Sequence, residues 1–179
     1  MTKLLRITSL AATVAALALT AEPAFAVNAS SNANARARVL RPLQLSSTQD
    51  FDLGDIVLSG AAPFSTVVSL AEDGTLTCDT TKVTCSGTTS VAKYQVIGTN
   101  NQTVTVSAPD VTLSNANGGP DLILRTSDGS GTTYYPTSVP LGASGNAGVE
   151  FSIGGEITLT DTTPDGLYTG QFAVTADYQ

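Results

Sequence analysis

The chain reads as an all-β protein, an antiparallel β-sandwich of immunoglobulin-like type. Three observations predict this. Thr, Val, Ser and Gly dominate a composition with only 13% charged residues and no Trp, which suits pleated, half-buried surfaces. Beyond residue 26, no stretch carries apolar residues at a helical period. Roughly ten short apolar segments recur about every ten residues, separated by Gly, Asn and Pro turns.

The first 26 residues read as a secretory leader: Lys3 and Arg6 form a positive end, residues 10–19 an apolar run and Ala24-Phe25-Ala26 a small-x-small cleavage site. That run is too short to span a bilayer as a helix, and nothing after it approaches a spanning length. Export to the periplasm, cell surface or medium is therefore expected, without a transmembrane segment in the mature chain. Residues 27–35 are Asn, Ser and Ala, too poor in bulk to order themselves, and are expected to form a flexible arm before a single sandwich domain over residues 36–179.

Without Lys3, Arg6 and Glu22, six basic face fourteen acidic side chains, a net charge of −8 that disfavours nucleic acid as a partner. Half of those cations, Arg36, Arg38 and Arg41, crowd one segment. They read as a solvated basic edge or as a docking point for an acidic neighbour.

The elements follow in order. Residues 38–46 are expected as a first strand with Val39, Leu43 and Leu45 inward, and at a sheet edge because Pro42 cannot donate to a ladder. Residues 50–59 form a second, with Phe51, Leu53 and Val57 as its apolar members. Asp50, Asp52 and Asp55 do not make a calcium loop, since Gly54 and Ala61 occupy positions where ligands belong.

Residues 64–71 form a third strand, closed by a turn at Glu72-Asp73-Gly74. Cys78 and Cys85, the two cysteines of the chain, are expected to bond to each other across a reversal at residues 79–82, stapling a hairpin without tying two sheets together. Neither Cys-x-x-Cys redox spacing nor a zinc ligand set is present.

Residues 91–97 and 102–108 are expected to pair as a hairpin about residues 98–101, with Val104 and Val106 inward. Residues 111–113 and 121–125 flank a surface turn. Residues 127–136 end in Tyr134-Tyr135, which either cover a sandwich end or offer a surface for sugars or proteins. Residues 149–159 form a long strand in which Gly154-Gly155 mark a bulge or a close backbone approach.

After the turn Pro164-Asp165-Gly166, the closing strand runs over residues 166–179. Tyr168, Phe172, Val174, Ala176 and Tyr178 share one face of it. An apolar strand of this length needs a partner along at least one edge.

Four segments carry a resemblance: Arg41-Pro42-Leu43-Gln44-Leu45, Asp50-Phe51-Asp52-Leu53-Gly54-Asp55-Ile56, Phe151-Ser152-Ile153-Gly154-Gly155 and Gly166-Leu167-Tyr168-Thr169-Gly170-Gln171-Phe172. Together they resemble the secreted family known as domain of unknown function 4402, which implies fold and location more than activity. The last strand also resembles the C-terminal strand of chaperone-usher pilus subunits, with Tyr178 penultimate and Gly166 fourteenth from the end.

That second resemblance implies a periplasmic chaperone, an usher and like subunits as partners. A chaperone strand would lie along residues 168–178 and basic residues would hold the Gln179 carboxylate. It also implies an N-terminal arm that fills pockets in the next subunit, yet Ala29, Ala33, Ala35 and Ala37 offer little volume for such pockets.

The chain has no His, so Ser or Cys nucleophiles lack a His base, and His-ligated metal centres are excluded. With no Trp platform for a glycosidase-type carboxylate pair, a non-catalytic protein without cofactors is expected. The leading expectation is an exported cell-surface structural protein, a pilin-like or fimbrial-type subunit. The alternative is a self-contained adhesin or glycan-binding module using Tyr134 and Tyr135.

Overall fold

The structure is a computed structural model that describes residues 30–127, 135–143 and 147–179. The proposed leader and Tyr134 lie outside the described residues. The chain divides into two units, Met1–Ala37 and Arg38–Gln179. The first is described only from residue 30, as exposed chain without helix or strand.

The second unit holds the strands β1 (Gln44–Gln49), β2 (Asp55–Leu58), β3 (Ser65–Leu70), β4 (Leu76–Thr77), β5 (Val83–Ser86), β6 (Ala92–Ile97) and β7 (Thr103–Ser107). They are followed by β8 (Val111–Asn115), β9 (Leu122–Ser127), β10 (Thr137–Pro140), β11 (Val149–Thr160), β12 (Tyr168–Thr169) and β13 (Thr175–Tyr178). All pairings among them are antiparallel, and the fold is a β-sandwich.

The long strand β11 is the spine. Its first half, Val149 to Ile153, pairs with β6. Over Gly155 to Ile157 it pairs with both β3 and β9, so both of its edges are occupied there. The resulting large sheet runs β1-β6-β11-β9-β8-β12, with β3 on β11 and β4 on β3.

Two smaller sheets cover this one. The three-stranded sheet β10-β7-β13 lies over one half around Val96, Val104, Val106, Val139 and Leu141. The pair β2-β5 lies over the other half around Leu53, Val68, Leu70, Val83, Leu124, Ile157 and Leu159. Ala92, Ala108 and Ile153 join the two cores. Each buried Val, Leu or Ile removes enough apolar surface from water to stabilise the fold by about 1.5–3 kcal/mol relative to exposure.

Gly154 and Gly155 lie inside an uninterrupted strand, and their role is close approach. A Cβ on Gly154 would stand 2.5 Å from the Leu70 carbonyl oxygen, and one on Gly155 would stand 2.9 Å from Leu124. With no side chains there, β3 and β9 can both press against β11 where the core changes partner sheet.

Several expectations are corrected. The first strand begins at Gln44 rather than residue 38, and Val39 is 90% exposed instead of inward. Upstream of β1 the Arg41 N–H is taken by Thr99 Oγ1 and its carbonyl by the Tyr178 hydroxyl, while Pro42 has no N–H to offer a ladder. The second strand shrinks to β2 plus an isolated bridge from Asp52 to Ser90, because Gly54 at φ +71° turns the chain between them. That turn shifts the alternation, so Ile56 and Leu58 face the core and Val57 is exposed.

Residues 91–97 and 102–108 do not form a hairpin with each other. Strand β6 pairs with β1 and β11 in the large sheet, while β7 pairs with β10 and β13 in the facing one, so residues 98–102 cross between layers. Cys78 and Cys85 are bonded, with Cα atoms 6.5 Å apart. However, Cys78 follows β4 of the large sheet and Cys85 lies in β5 of the two-stranded one, so the bridge does tie two sheets together.

Candidate functional site

The expected closing strand is two strands in two sheets. Strand β12 pairs with β8 (Tyr168 with Asn115), and β13 pairs with β7 (Tyr178 with Val104). Residues 170–174 carry the chain from one layer to the other, and the predicted alternation persists, with Phe172, Val174, Ala176 and Tyr178 half-buried between exposed neighbours.

Each predicted residue has a defined place. Gly166 has φ +143° and lies against the Asn115 amide, where a Cβ would come within 2.1 Å of Oδ1. Asn115 holds this corner by donating to the Asp165 carbonyl at 3.0 Å and accepting from the Asn117 N–H at 2.8 Å. The Tyr168 hydroxyl donates to the Pro164 carbonyl at 2.8 Å. Phe172 meets Phe51 edge to face, with ring centroids 5.8 Å apart. Val174, Ala176 and Tyr178 pack on the core under the three-stranded sheet.

Gln179 donates its N–H to the Thr103 carbonyl at 3.1 Å, and its side-chain amide donates to Thr105 and Ser138 hydroxyls at 3.0 and 2.7 Å. Because Gln179 donates inward to β7, so by alternation do Thr175 and Asp177. The N–H groups of Ala176 and Tyr178 therefore point the other way, along an edge of β13 that no described strand covers.

Beside the C-terminal segment lies a groove of about 1010 Å³. Leu113, Leu122, Leu124, Ile157 and Leu159 contribute an apolar floor from β8, β9 and β11. One wall takes every residue from Phe51 to Leu58 but only Ser86 of β5, so the edge of β2 facing the groove is the one opposite its partner. The other wall is the run from Thr163 to Gly170, including β12, which ends the large sheet. Val57 and Leu167, 56% and 69% exposed, stand at the lips, and Asp52, Asp55 and Asp165 add three carboxylates to the lining. Asp52 is held by accepting the Gly54 N–H at 2.8 Å.

Tyr135 is half-buried, donates its hydroxyl to the Ser152 carbonyl at 3.2 Å and packs on the two cores that meet there. Tyr94, stacked on Phe151, has its hydroxyl pKa raised by burial and by Asp50. Among the described residues no group of three Cys, Asp or Glu side chains is placed to hold a metal ion, and no helix is long and apolar enough to cross a membrane.

The groove was not anticipated as a site. Its sequence signal is the alternation of carboxylates with Phe51, Leu53 and, after the turn at Gly54, Ile56. Its geometry depends on which strands fail to meet, which no local pattern encodes. The family model described as Domain of unknown function (DUF4402) matches residues 43–178. No curated protein and no solved structure matches the chain.

Proposed function

The chain belongs to the DUF4402 family, and from that premise we propose that it is an exported, non-catalytic structural subunit of the cell surface, pilin-like in being handled through its last strand. The observation that carries this reading is the open edge of β13. A strand that buries one face in its own core and leaves a row of outward N–H and C=O groups is a template for an added strand from another polypeptide.

A periplasmic assembly chaperone or a neighbouring subunit would supply that strand alongside Thr175 to Tyr178. The affinity would come from main-chain hydrogen bonds, and orientation would be aided by basic groups on the partner near Gln179. The leader-like residues 1–26 and the disulfide suit an oxidising compartment outside the cytoplasm.

The test is assembly on the cell surface of the producing bacterium. Ala176→Pro removes an outward-facing N–H without touching the ladder to β7, and a His-tag after Gln179 crowds the same edge. Both variants are expected to fold, by circular dichroism and thermal melting, yet to disappear from the surface-assembled fraction. Wild-type assembly by both would refute the proposal.

A further inference from the structure

We infer that the groove between β2 and β12 is a binding site for a single-chain amphipathic cation, a small molecule with an aliphatic tail and an ammonium head. The inference goes beyond the structural-subunit reading and concerns a surface separate from the edge of β13.

The place for the tail comes from an uneven match between layers. On this half of the sandwich the covering layer is the pair β2-β5, two strands wide, while the large sheet presents β11, β9, β8 and β12. Leu113 of β8 and Leu122 of β9 stand opposite each other in register and pack on the core, yet both stay half-buried where their neighbours Val111 and Leu124 are buried. Inner-face leucines left partly in water are stabilised by an apolar chain laid over them. The volume of about 1010 Å³ matches the upper end of small-molecule sites, roughly 300–1,000 Å³. The walls offer little main-chain ladder, since β12 has two residues and Pro164 in the same wall has no N–H, so recognition rests on apolar contact and charge.

The sign of the head group follows from the charges of the lining. Asp52, Asp55 and Asp165 line the groove and are exposed, and among the described residues that line it none is Lys or Arg. The ion pairs of the described residues use other carboxylates, those of Asp79, Glu150 and Glu156. A cationic head is therefore attracted to the groove and an anionic one, such as a fatty acid's, is repelled. On each lip an exposed apolar residue lies two positions from a carboxylate, Val57 from Asp55 and Leu167 from Asp165. Apolar and acidic surface thus adjoin at the mouth, which suits a ligand whose tail ends in a positive charge.

Titration of the mature chain with decyltrimethylammonium below its micelle concentration, followed by methyl NMR, tests this. The methyl signals of Leu113, Leu122, Val57 and Leu167 are expected to move along one saturable curve. Those of Val67 and Ile123 are expected to stay, because these residues are 45% and 49% exposed on the opposite face of the large sheet. Decyl sulfate is expected to bind at least about tenfold more weakly, and the ammonium to lose at least about tenfold in affinity when Asp52→Asn, Asp55→Asn and Asp165→Asn are combined. Asn keeps the shape of each side chain and, at position 52, the oxygen that accepts from Gly54. From octyl to decyl to dodecyl the affinity should rise about two- to fourfold per methylene, up to the ~0.8 kcal/mol of a fully buried one.

Shifts spread equally to Val67 and Ile123 would mean general adsorption of detergent and overturn the inference. Sulfate binding as tightly as the ammonium would overturn it on the wild-type chain alone, whether or not the triple variant folds. Contacts from Leu113 and Leu122 to another segment of the chain or to a second copy, seen before any ligand is added, would give the groove to polypeptide and overturn it as well. Each of these results leaves the reading of β13 untouched.

Discussion

The hydroxyl of Tyr178 accepts the backbone N–H of Thr99 at 2.7 Å. The same hydroxyl donates to the Arg41 carbonyl at 2.7 Å, and the Thr99 hydroxyl accepts the Arg41 N–H, also at 2.7 Å. Three segments far apart in sequence thus meet in a closed ring of hydrogen bonds: the end of β13, the crossing after β6 and the approach to β1. Gly98 leaves room for it, since a Cβ there would stand 2.6 Å from the Tyr178 oxygen.

Tyr178→Phe removes the hinge of that ring and leaves a backbone donor and acceptor without their partner. The expected loss is about 1–3 kcal/mol in urea unfolding. Thr99→Val breaks the same ring from another side, so the double variant should lose less than the sum of the two. Strict additivity would show that the three bonds act independently.

Gly166→Ala is expected to be more damaging. The backbone there sits at φ +143°, and the new Cβ would collide with the Asn115 amide that fixes the turn into β12. A loss of about 2–4 kcal/mol follows from strain plus displacement of a buried amide whose oxygen and nitrogen are both hydrogen-bonded. Adding Asn115→Ala should not restore stability, because the dihedral strain remains and the bonds to Asp165 and Asn117 are gone. Recovery in the double variant, measured by thermal melting, would assign the whole effect to the clash.

These residues also show what a sequence can and cannot carry. The alternation of Phe172, Val174, Ala176 and Tyr178 was readable because burial on one face leaves a period-2 imprint, and the cysteine pairing because only one pairing exists. The glycine of the turn at residues 164–166 was readable for the same local reason. Pairing partners left no such imprint. Residues 98–101 look like a hairpin turn, and Asn101 does adopt φ 55°, but β6 is claimed by β11 from some fifty residues away. The groove was hidden for the same reason, since it exists only where β2 and β12 fail to reach each other.

The disulfide offers a third prediction. Because Cys78 and Cys85 tie β4 to β5 across two sheets, removing the bridge frees the edge of the β2-β5 layer as well as a short loop. Cys78→Ser plus Cys85→Ser is expected to cost about 2.5 kcal/mol by the chain-entropy relation. Hydrogen exchange should rise first in Asp55 to Leu58 and Val83 to Ser86, while the core strand β11 stays protected. A uniform rise over all strands would mean that the β2-β5 layer has no separate stability.

The turn inside that disulfide loop supplies a pH test. Asp79 accepts from the Thr81 hydroxyl at 2.6 Å and the Thr81 N–H at 3.1 Å, and pairs with Lys82 at 3.1 Å. The Thr81 hydroxyl, then Lys82, then the Thr81 N–H hold its carboxyl below the usual aspartate value. A pKa lowered by folding means that the unfolded chain binds the proton more readily. The contribution to stability is therefore complete above the ordinary aspartate range and fades as pH falls through the lower folded-state value. Solvent surrounds the group, so the effect on global stability should be small, and the sensitive readout is the carboxyl carbon shift of Asp79 followed by NMR titration. Its midpoint should lie below that of the same residue in the urea-unfolded chain and move up toward it in Thr81→Ala, where the leading hydrogen bond is lost. An unchanged midpoint in Thr81→Ala would shift the cause to Lys82.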